Sequence, residues 1–108
     1  MDDERRAQPR TRTAFFAVEV RGEEIAYRLV RDISARGFCV ETVGPGDRPG
    51  ERLVMEFPLP GSPAPIRVEG EVVHAGPDGV GVRIRSVDEE PYARLLAHSP
   101  PALTPAPR

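Results

Sequence analysis

Two short groups of side chains in this sequence could hold an anionic ligand, and the first lies near the N-terminus. Arg6 and Arg10 stand four residues apart. Each guanidinium is a planar fork that matches phosphate oxygens or the O6/N7 edge of guanine, and it can also stack on a purine face. The chain contains no lysine, so a cluster of arginines is also what a solvated basic arm would look like here.

The second group is the segment 32–37, which contains Asp32, Ser34 and Gly37. A carboxylate can accept two hydrogen bonds from the N1–H and N2–H₂ edge of guanine, and a serine hydroxyl can reach a phosphate or a base. The same residue types also make a turn, because Asp and Ser bond their own backbone and Gly adopts positive φ. These six residues alone leave both interpretations open.

The other reactive side chains form no catalytic or metal-binding pattern. Ser62 lies near no His/Asp pairing, and Cys39, between two apolar residues, is typical of a buried or half-buried structural cysteine. His74 and His98 have no metal-ligand partners at useful spacing, and the chain has neither a P-loop nor a GxGxxG motif. We therefore predict a protein without catalytic residues, metal or cofactor.

Composition limits the classes of protein to which this chain can belong. It has 108 residues, 39% hydrophobic, and a formal net charge of −2, which predicts one small domain and argues against a binder of nucleic-acid polymers. No apolar run is long enough to insert into a membrane, and the N-terminus lacks the apolar segment of a signal peptide. The predicted location is the cytoplasm.

Proline and glycine divide the chain into short pieces, which favours strands over long helices. The β-forming residues of 13–21 place Phe16, Val18 and Val20 on one face, and 66–74 gives the cleanest alternation. The six predicted strands are 13–21, 25–31, 38–43, 52–57, 66–74 and 80–85.

Six short strands with turns between them indicate an all-β sandwich or barrel. Near the end of the chain Asp88 can cap a short α-helix, and the spacing of Tyr92, Leu95 and Leu96 gives this helix one apolar face. We expect three parts: an arginine-bearing flexible arm over 1–12, a β-barrel domain with its helix over 13–98, and a disordered Pro/Ala-rich tail over 99–108.

Taken together, in this order and spacing, the two motifs resemble those of the PilZ family of cyclic di-GMP receptors. That family carries RxxxR on an N-terminal arm, followed about 20–30 residues later by (D/N)xSxxG between strands of a six-stranded antiparallel β-barrel. Both motifs are intact here, as Arg6-x-x-x-Arg10 and Asp32-x-Ser34-x-x-Gly37. The likeness runs from about residue 4 to about residue 97, through the strand segments 37–42, 68–73 and 79–84.

The resemblance implies a role for each motif residue. Arg6 and Arg10 would grip the phosphates and guanine edges of cyclic di-GMP. Asp32 and Ser34 would read one guanine, while Gly37 would permit close approach of the backbone. By the same resemblance the protein would be a single-domain bacterial effector whose arm changes conformation on binding and signals to an unidentified partner protein, in motility or exopolysaccharide regulation.

Arg5 matches an extra arginine that the family associates with two stacked ligand molecules, so it is a further candidate. One alternative is a PilZ-like protein-interaction module that does not bind the nucleotide. Another is a barrel that binds single-stranded nucleic acid, which would need aromatic stacking positions on a basic face. With four Phe, two Tyr and no Trp, the sequence has few residues for such stacking, which argues against the nucleic-acid alternative.

Overall fold

The computed structural model describes residues 11–42 and 47–98, so Arg5, Arg6, Arg10 and the tail 99–108 lie outside the described residues. Within the described part the chain forms six strands and one helix: β1 (Thr11–Arg21), β2 (Glu24–Ile33), β3 (Gly37–Val40), β4 (Arg52–Phe57), β5 (Ile66–Gly76), β6 (Gly79–Val87) and α1 (Glu89–His98). The strands pair antiparallel in the order β1-β2-β3-β6-β5-β4, and β4 returns to β1 to close a barrel. The predicted antiparallel six-stranded barrel with a C-terminal helix is confirmed.

Several strand limits differ from the sequence prediction by one to three residues, and the pairing explains two of these differences. β1 begins at Thr11 instead of Thr13, because β2 continues to Ile33 and the register pairs Thr11 with Ile33 and Arg12 with Asp32. β3 ends at Val40, short of the predicted residue 43, because its partner β6 begins at Gly79 and their ladder stops at the pair Val40–Val80. Strand limits here follow the length of the partner strand.

The core is built around the ring of Phe57, which is completely buried. Phe38 and Phe15 contact it edge-on, with ring centroids 5.0 Å and 5.6 Å away. Tyr92 of α1 lies at 6.5 Å, so the helix closes one end of the barrel over this aromatic cluster. Edge-to-face pairs contribute about 0.5–1.5 kcal/mol each beyond the area they bury.

The apolar residues Phe16, Val18 and Val20 share one face of β1, as predicted, but that face points outward. Phe16 is 62% exposed, whereas Ala17 and Glu19 on the opposite face are buried. A strand pattern reveals which residues share a face and leaves open which face is buried. Here a buried cation admits Glu19 to the interior, and the more hydrophobic side remains outside.

A cluster of charged side chains fills the barrel end near the β1–β2 turn. The buried guanidinium of Arg28 binds Glu19 at 2.6 Å and Asp47 at 3.2 Å. Arg21 binds Glu19, and also Asp47 at 2.6 Å and Glu51 at 3.2 Å. Burial by itself lowers the pKa of Arg21, but the neighbouring carboxylates of Glu19 and Asp47 outweigh this effect and raise the pKa above its ordinary value. The cluster joins β1 and β2 to the segment that leads into β4.

At the other end of the barrel, the close packing of β3 against β6 requires Gly37, a residue without a side chain. A Cβ atom at Gly37 would lie 2.5 Å from the backbone oxygen of Val82, a contact that only a backbone shift could relieve. Gly37 pairs with Arg83 in the β3–β6 ladder, so the missing side chain lets β3 lie directly against β6. Because β3 has only four residues, a shift at its first residue would affect the whole strand.

Arg28→Met should destabilise the protein by about 3–5 kcal/mol, because it removes the more deeply buried of the two guanidiniums that neutralise the Glu19 carboxylate. Arg67→Met is the matched control: Arg67 is well exposed and contacts Glu56 at 3.7 Å, so its loss should cost less than about 1 kcal/mol. Urea denaturation measures both. Equal losses for the two variants would contradict the structural importance of the buried pair.

Gly37→Ala should reduce the free energy of unfolding by about 1–3 kcal/mol, the usual cost of forcing an extra methyl into a packed site. Gly76→Ala is the comparison, because a Cβ there meets only the His74 ring, at an ordinary 3.4 Å. Thermal and urea unfolding of both variants give the answer. If Gly37→Ala proved as stable as Gly76→Ala, the close approach of β3 to β6 would be wrong.

Candidate functional site

The second motif forms the tight turn between β2 and β3. The Ser34 amide donates to the Gly37 carbonyl at 2.8 Å, and the Ser34 hydroxyl donates to the same oxygen at 3.2 Å. The Arg36 amide donates back to the Ser34 hydroxyl at 3.4 Å. Ser34 is only 2% exposed, so in this structure its hydroxyl shapes the turn.

Two further hydrogen bonds fix this turn against the rest of the barrel. The Tyr92 hydroxyl of α1 donates to the Ser34 carbonyl at 2.6 Å. The Ile84 amide of β6 donates to the Arg36 carbonyl at 2.8 Å. The sequence prediction gave Tyr92 only an apolar docking role. The sequence signal for this hydrogen bond was the phenol of Tyr92, since the hydroxyl of a buried tyrosine usually finds a hydrogen-bond partner.

Asp32 lies on the outer side of the barrel wall, where it is half-buried, because of a bulge in β2. Val30 pairs with Val40 and Ile33 with Phe38, all four buried, so Arg31 and Asp32 together lie opposite the single residue Cys39. Strict alternation after Val30 would have turned Asp32 into the core. The extra residue therefore turns this carboxylate outward, a common use of bulges beside binding sites.

A cleft of about 510 Å³ opens beside Asp32 on the outer surface of β1, β2 and β3. It contains acidic and basic groups together, and the Arg31 guanidinium is held across it by donating to the Asp78 carbonyl at 2.9 Å. We call this space the Asp32 cleft; it is lined by Arg12, Thr13, Ala14, Leu29, Arg31, Asp32, Cys39 and Asp78.

The start of β1 brings the arm to this cleft. Arg12 pairs with Asp32 across the β1–β2 ladder, and Thr11 pairs with Ile33. The segment that carries Arg6 and Arg10 is therefore joined to the barrel directly beside the Asp32 carboxylate, although it lies outside the described residues. The structure thus brings Asp32 and the root of the arm together, and places Ser34 and Gly37 in the turn that follows.

Two arginines of the cleft, Arg12 and Arg31, were not among the predicted site residues. The sequence prediction places Arg12 in the arm, whereas in the structure β1 is two residues longer and brings Arg12 beside Asp32. In the sequence, Arg31 is an ordinary outward-facing residue of a predicted strand. Only the bulge shows that Arg31 and Asp32 both lie opposite Cys39. Cys39 is half-buried at the cleft, as its sequence context predicted.

The part of the chain that the structure describes offers no group of three His, Cys, Asp or Glu side chains arranged to hold a metal ion. Over the same residues, no helix has the length and apolar character required to cross a membrane.

Comparison with known proteins agrees with this architecture. The fold resembles the solved structure of the Bacillus subtilis inhibitor of motility (MotI/DgrA), with a TM-score of 0.68 and 22% sequence identity. The match covers 88% of this chain and 49% of that one, so this chain spans about half the length of that protein. No curated protein matches the chain in sequence.

A family model described as the PilZ domain matches residues 4–99, which include both arginine and aspartate motifs. PilZ domains are binding and adaptor modules, and the family is associated with cyclic di-GMP as ligand. The match extends over nearly the whole sequence, and the closed barrel with its terminal helix agrees with the fold that the motifs predicted. The chain therefore belongs to the PilZ domain family.

Proposed function

We propose that this protein is a cyclic di-GMP receptor whose arm folds over a ligand held at the Asp32 cleft and signals its presence to a partner protein. The observation that carries the proposal is the position of Asp32. A bulge turns this carboxylate outward, next to the first residues of β1, where the RxxxR segment joins the barrel. The chain that follows the RxxxR motif, which ends 22 residues before Asp32, therefore enters the barrel beside this carboxylate.

Within this site the proposed ligand contacts follow from charge and geometry. The Asp32 carboxylate would accept two hydrogen bonds from the N1–H and N2–H₂ edge of one guanine. Arg6 and Arg10 would bind phosphate oxygens and guanine edges through their planar guanidiniums. Two phosphates require local positive charge in a chain of net charge −2, and Arg12 and Arg31 supply it at the cleft itself.

Ser34 and Gly37 act, in this proposal, on the shape of the site. The Ser34 hydroxyl is engaged within the turn, and Gly37 lets that turn lie against β6. Both keep the end of β2 in the geometry that presents Asp32. Arg5 would add a third guanidinium to the arm and favour a second, stacked ligand molecule.

The energetics explain why the arm could act as a switch. Fixing backbone costs roughly 1–2 kcal/mol per residue, whereas each charge-assisted hydrogen bond contributes about 1.5–3 kcal/mol. In this proposal the arm segment that precedes β1 gains a fixed position only when several such bonds form at once. Ligand binding would shift the population of arm positions, and a partner protein that contacts the arm would sense that shift.

Arg6→Ala, Arg10→Ala and Asp32→Ala should each weaken binding of cyclic di-GMP by tenfold or more, because each removes charged hydrogen bonds to the ligand. Calorimetric titration of the full chain measures the affinity, and the molar ratio distinguishes one bound ligand from two. Absence of both heat and thermal shift in the parent protein would overturn the proposal and favour an interaction module that does not bind the nucleotide.

Arg10→Lys should lose part of the affinity that Arg10→Ala loses, since an ammonium keeps the charge without the planar fork. Arg67→Ala supplies the matched control, because this exposed arginine lies on β5 and is not part of the Asp32 cleft. Its titration should match that of the parent protein. Equal losses at Arg67 and Arg10 would mean that binding reflects general attraction of an anion to arginine.

A further inference from the structure

The strand β6 is longer than its partner β3, and its last residues leave one edge of the sheet open. β6 pairs with β3 over residues 80–83 and continues to Val87, paired there with β5 alone. On the β3 side the Ile84 amide donates to the Arg36 carbonyl at 2.8 Å, and no strand of the described structure pairs with 85–87. An open strand edge is a template on which another extended chain can form backbone hydrogen bonds.

A groove of about 650 Å³ runs beside this edge. It is bounded by the end of β6, by the β2–β3 turn and by α1, and we call it the β6 groove. Its apolar side chains include Ile84, Val87 and Leu96, which are half-buried and pack against the core. An extended segment in this groove would find backbone partners on one side and apolar contacts on the other, as peptides that add to a sheet edge do.

The charge of the β6 groove indicates which segment would fit. The charged side chains that line it are Arg36, Arg83, Arg85 and Glu89. Arg85 is held by Glu71 of β5 at 3.3 Å, while Glu69 of β5 lines other clefts. Arg36 and Arg83 are exposed, and neither has an ion-pair partner among the described residues. The groove therefore offers two guanidiniums to carboxylates from outside.

We propose that an extended, acidic segment of a partner protein binds in the β6 groove and adds to the open edge of β6. Its backbone would pair with residues 85–87, and its alternate apolar side chains would contact the apolar side of the groove. Its carboxylates would meet Arg36 and Arg83. The same edge of a second copy would bring the same arginines to the contact, so the charge favours an acidic partner over self-association.

The β6 groove shares a wall with the turn that presents Asp32. The Arg36 carbonyl of this turn accepts from Ile84 of β6, and its Ser34 carbonyl accepts from the Tyr92 hydroxyl at 2.6 Å. A segment bound along β6 would contact the turn directly after Asp32, and any effect of one site on the affinity of the other is reciprocal. The identity of this segment as the signalling partner rests on the proposed function, whereas its docking does not.

Titration of the isotope-labelled full chain with the peptide acetyl-Glu-Val-Glu-Val-Glu-Val-amide, without nucleotide, tests the groove by NMR. Binding should saturate at millimolar concentration or below and shift the amide signals of residues 84–87 and of α1. A Lys-Val peptide of equal length should bind at least tenfold more weakly. So should the Glu-Val peptide with N-methylated valines, which has fewer amides to donate to the edge. No saturation, shifts outside the groove or equal binding of the three peptides would overturn the proposal.

A charge exchange tests the two arginines. Arg36→Glu and Arg83→Glu combined should reverse the preference, so that the Lys-Val peptide binds at least tenfold more tightly than the Glu-Val peptide. Arg67→Glu is the matched control, because this exposed arginine of β5 is not part of the groove. It should keep the preference of the parent protein. An unchanged preference in the double variant, or an equal reversal in Arg67→Glu, would contradict the assignment.

The acidic residues Asp2, Asp3 and Glu4 of this chain are the alternative occupant. Asp2→Asn, Asp3→Asn and Glu4→Gln combined should leave the affinity for the Glu-Val peptide unchanged if the groove receives a partner. Peptide binding at least tenfold tighter in this variant would assign the groove to the chain's own N-terminal segment and overturn the proposal.

Cyclic di-GMP in the same titration separates this inference from the proposed function. Saturating nucleotide should change the dissociation constant of the Glu-Val peptide at least threefold, because both sites contact the β2–β3 turn. A chain that binds the peptide in the groove but not the nucleotide would support the docking site and contradict the proposed function. A chain that binds both with no effect of one on the other would overturn the role of the groove in signalling.

Discussion

The architecture of this barrel depends on the direct approach of β3 to β6, which is possible because Gly37 has no side chain. β3 has four residues and joins the β1–β2 hairpin to the β5–β6 hairpin. Hydrogen bonds fix the turn before β3. The Ser34 hydroxyl donates within the turn, and the Ile84 amide of β6 and the Tyr92 hydroxyl of α1 donate to it from outside. If β3 moved outward, the hydrogen bonds between the turn, α1 and β6 would be disrupted, and so would the pairing of β3 with the end of β2.

One strand, β2, serves both the interior and the surface, and a single extra residue separates the two roles. Before the bulge Arg28 points inward, where it neutralises Glu19. After the bulge Asp32 points outward, where it borders the cleft. Both are charged residues on the same strand, four positions apart. Their opposite surroundings arise from the backbone, because the extra residue of the bulge changes the side of β2 that faces the core.

Much of the fold could be predicted from the sequence, because alternation and turn residues are local signals. The strand 66–74 alternates so regularly that Ile66, Val68 and Val72 had to share the buried face. The bulge beside Asp32 could not be predicted, since an extra residue simply interrupts a period of two. The outward orientation of Phe16 was equally hidden, because it depends on the cation that Glu19 meets across the barrel.

The barrel is closed by a short seam. β1 and β4 share only three register pairs, from Val18–Glu56 to Val20–Val54, near the hairpin turn. The first half of the same strand borders the Asp32 cleft and continues into the arm. A ligand that restrains the start of β1 would therefore also slow the separation of β1 from β4. Hydrogen exchange of the backbone amides in the β1–β4 pairs would then report whether the cleft is occupied.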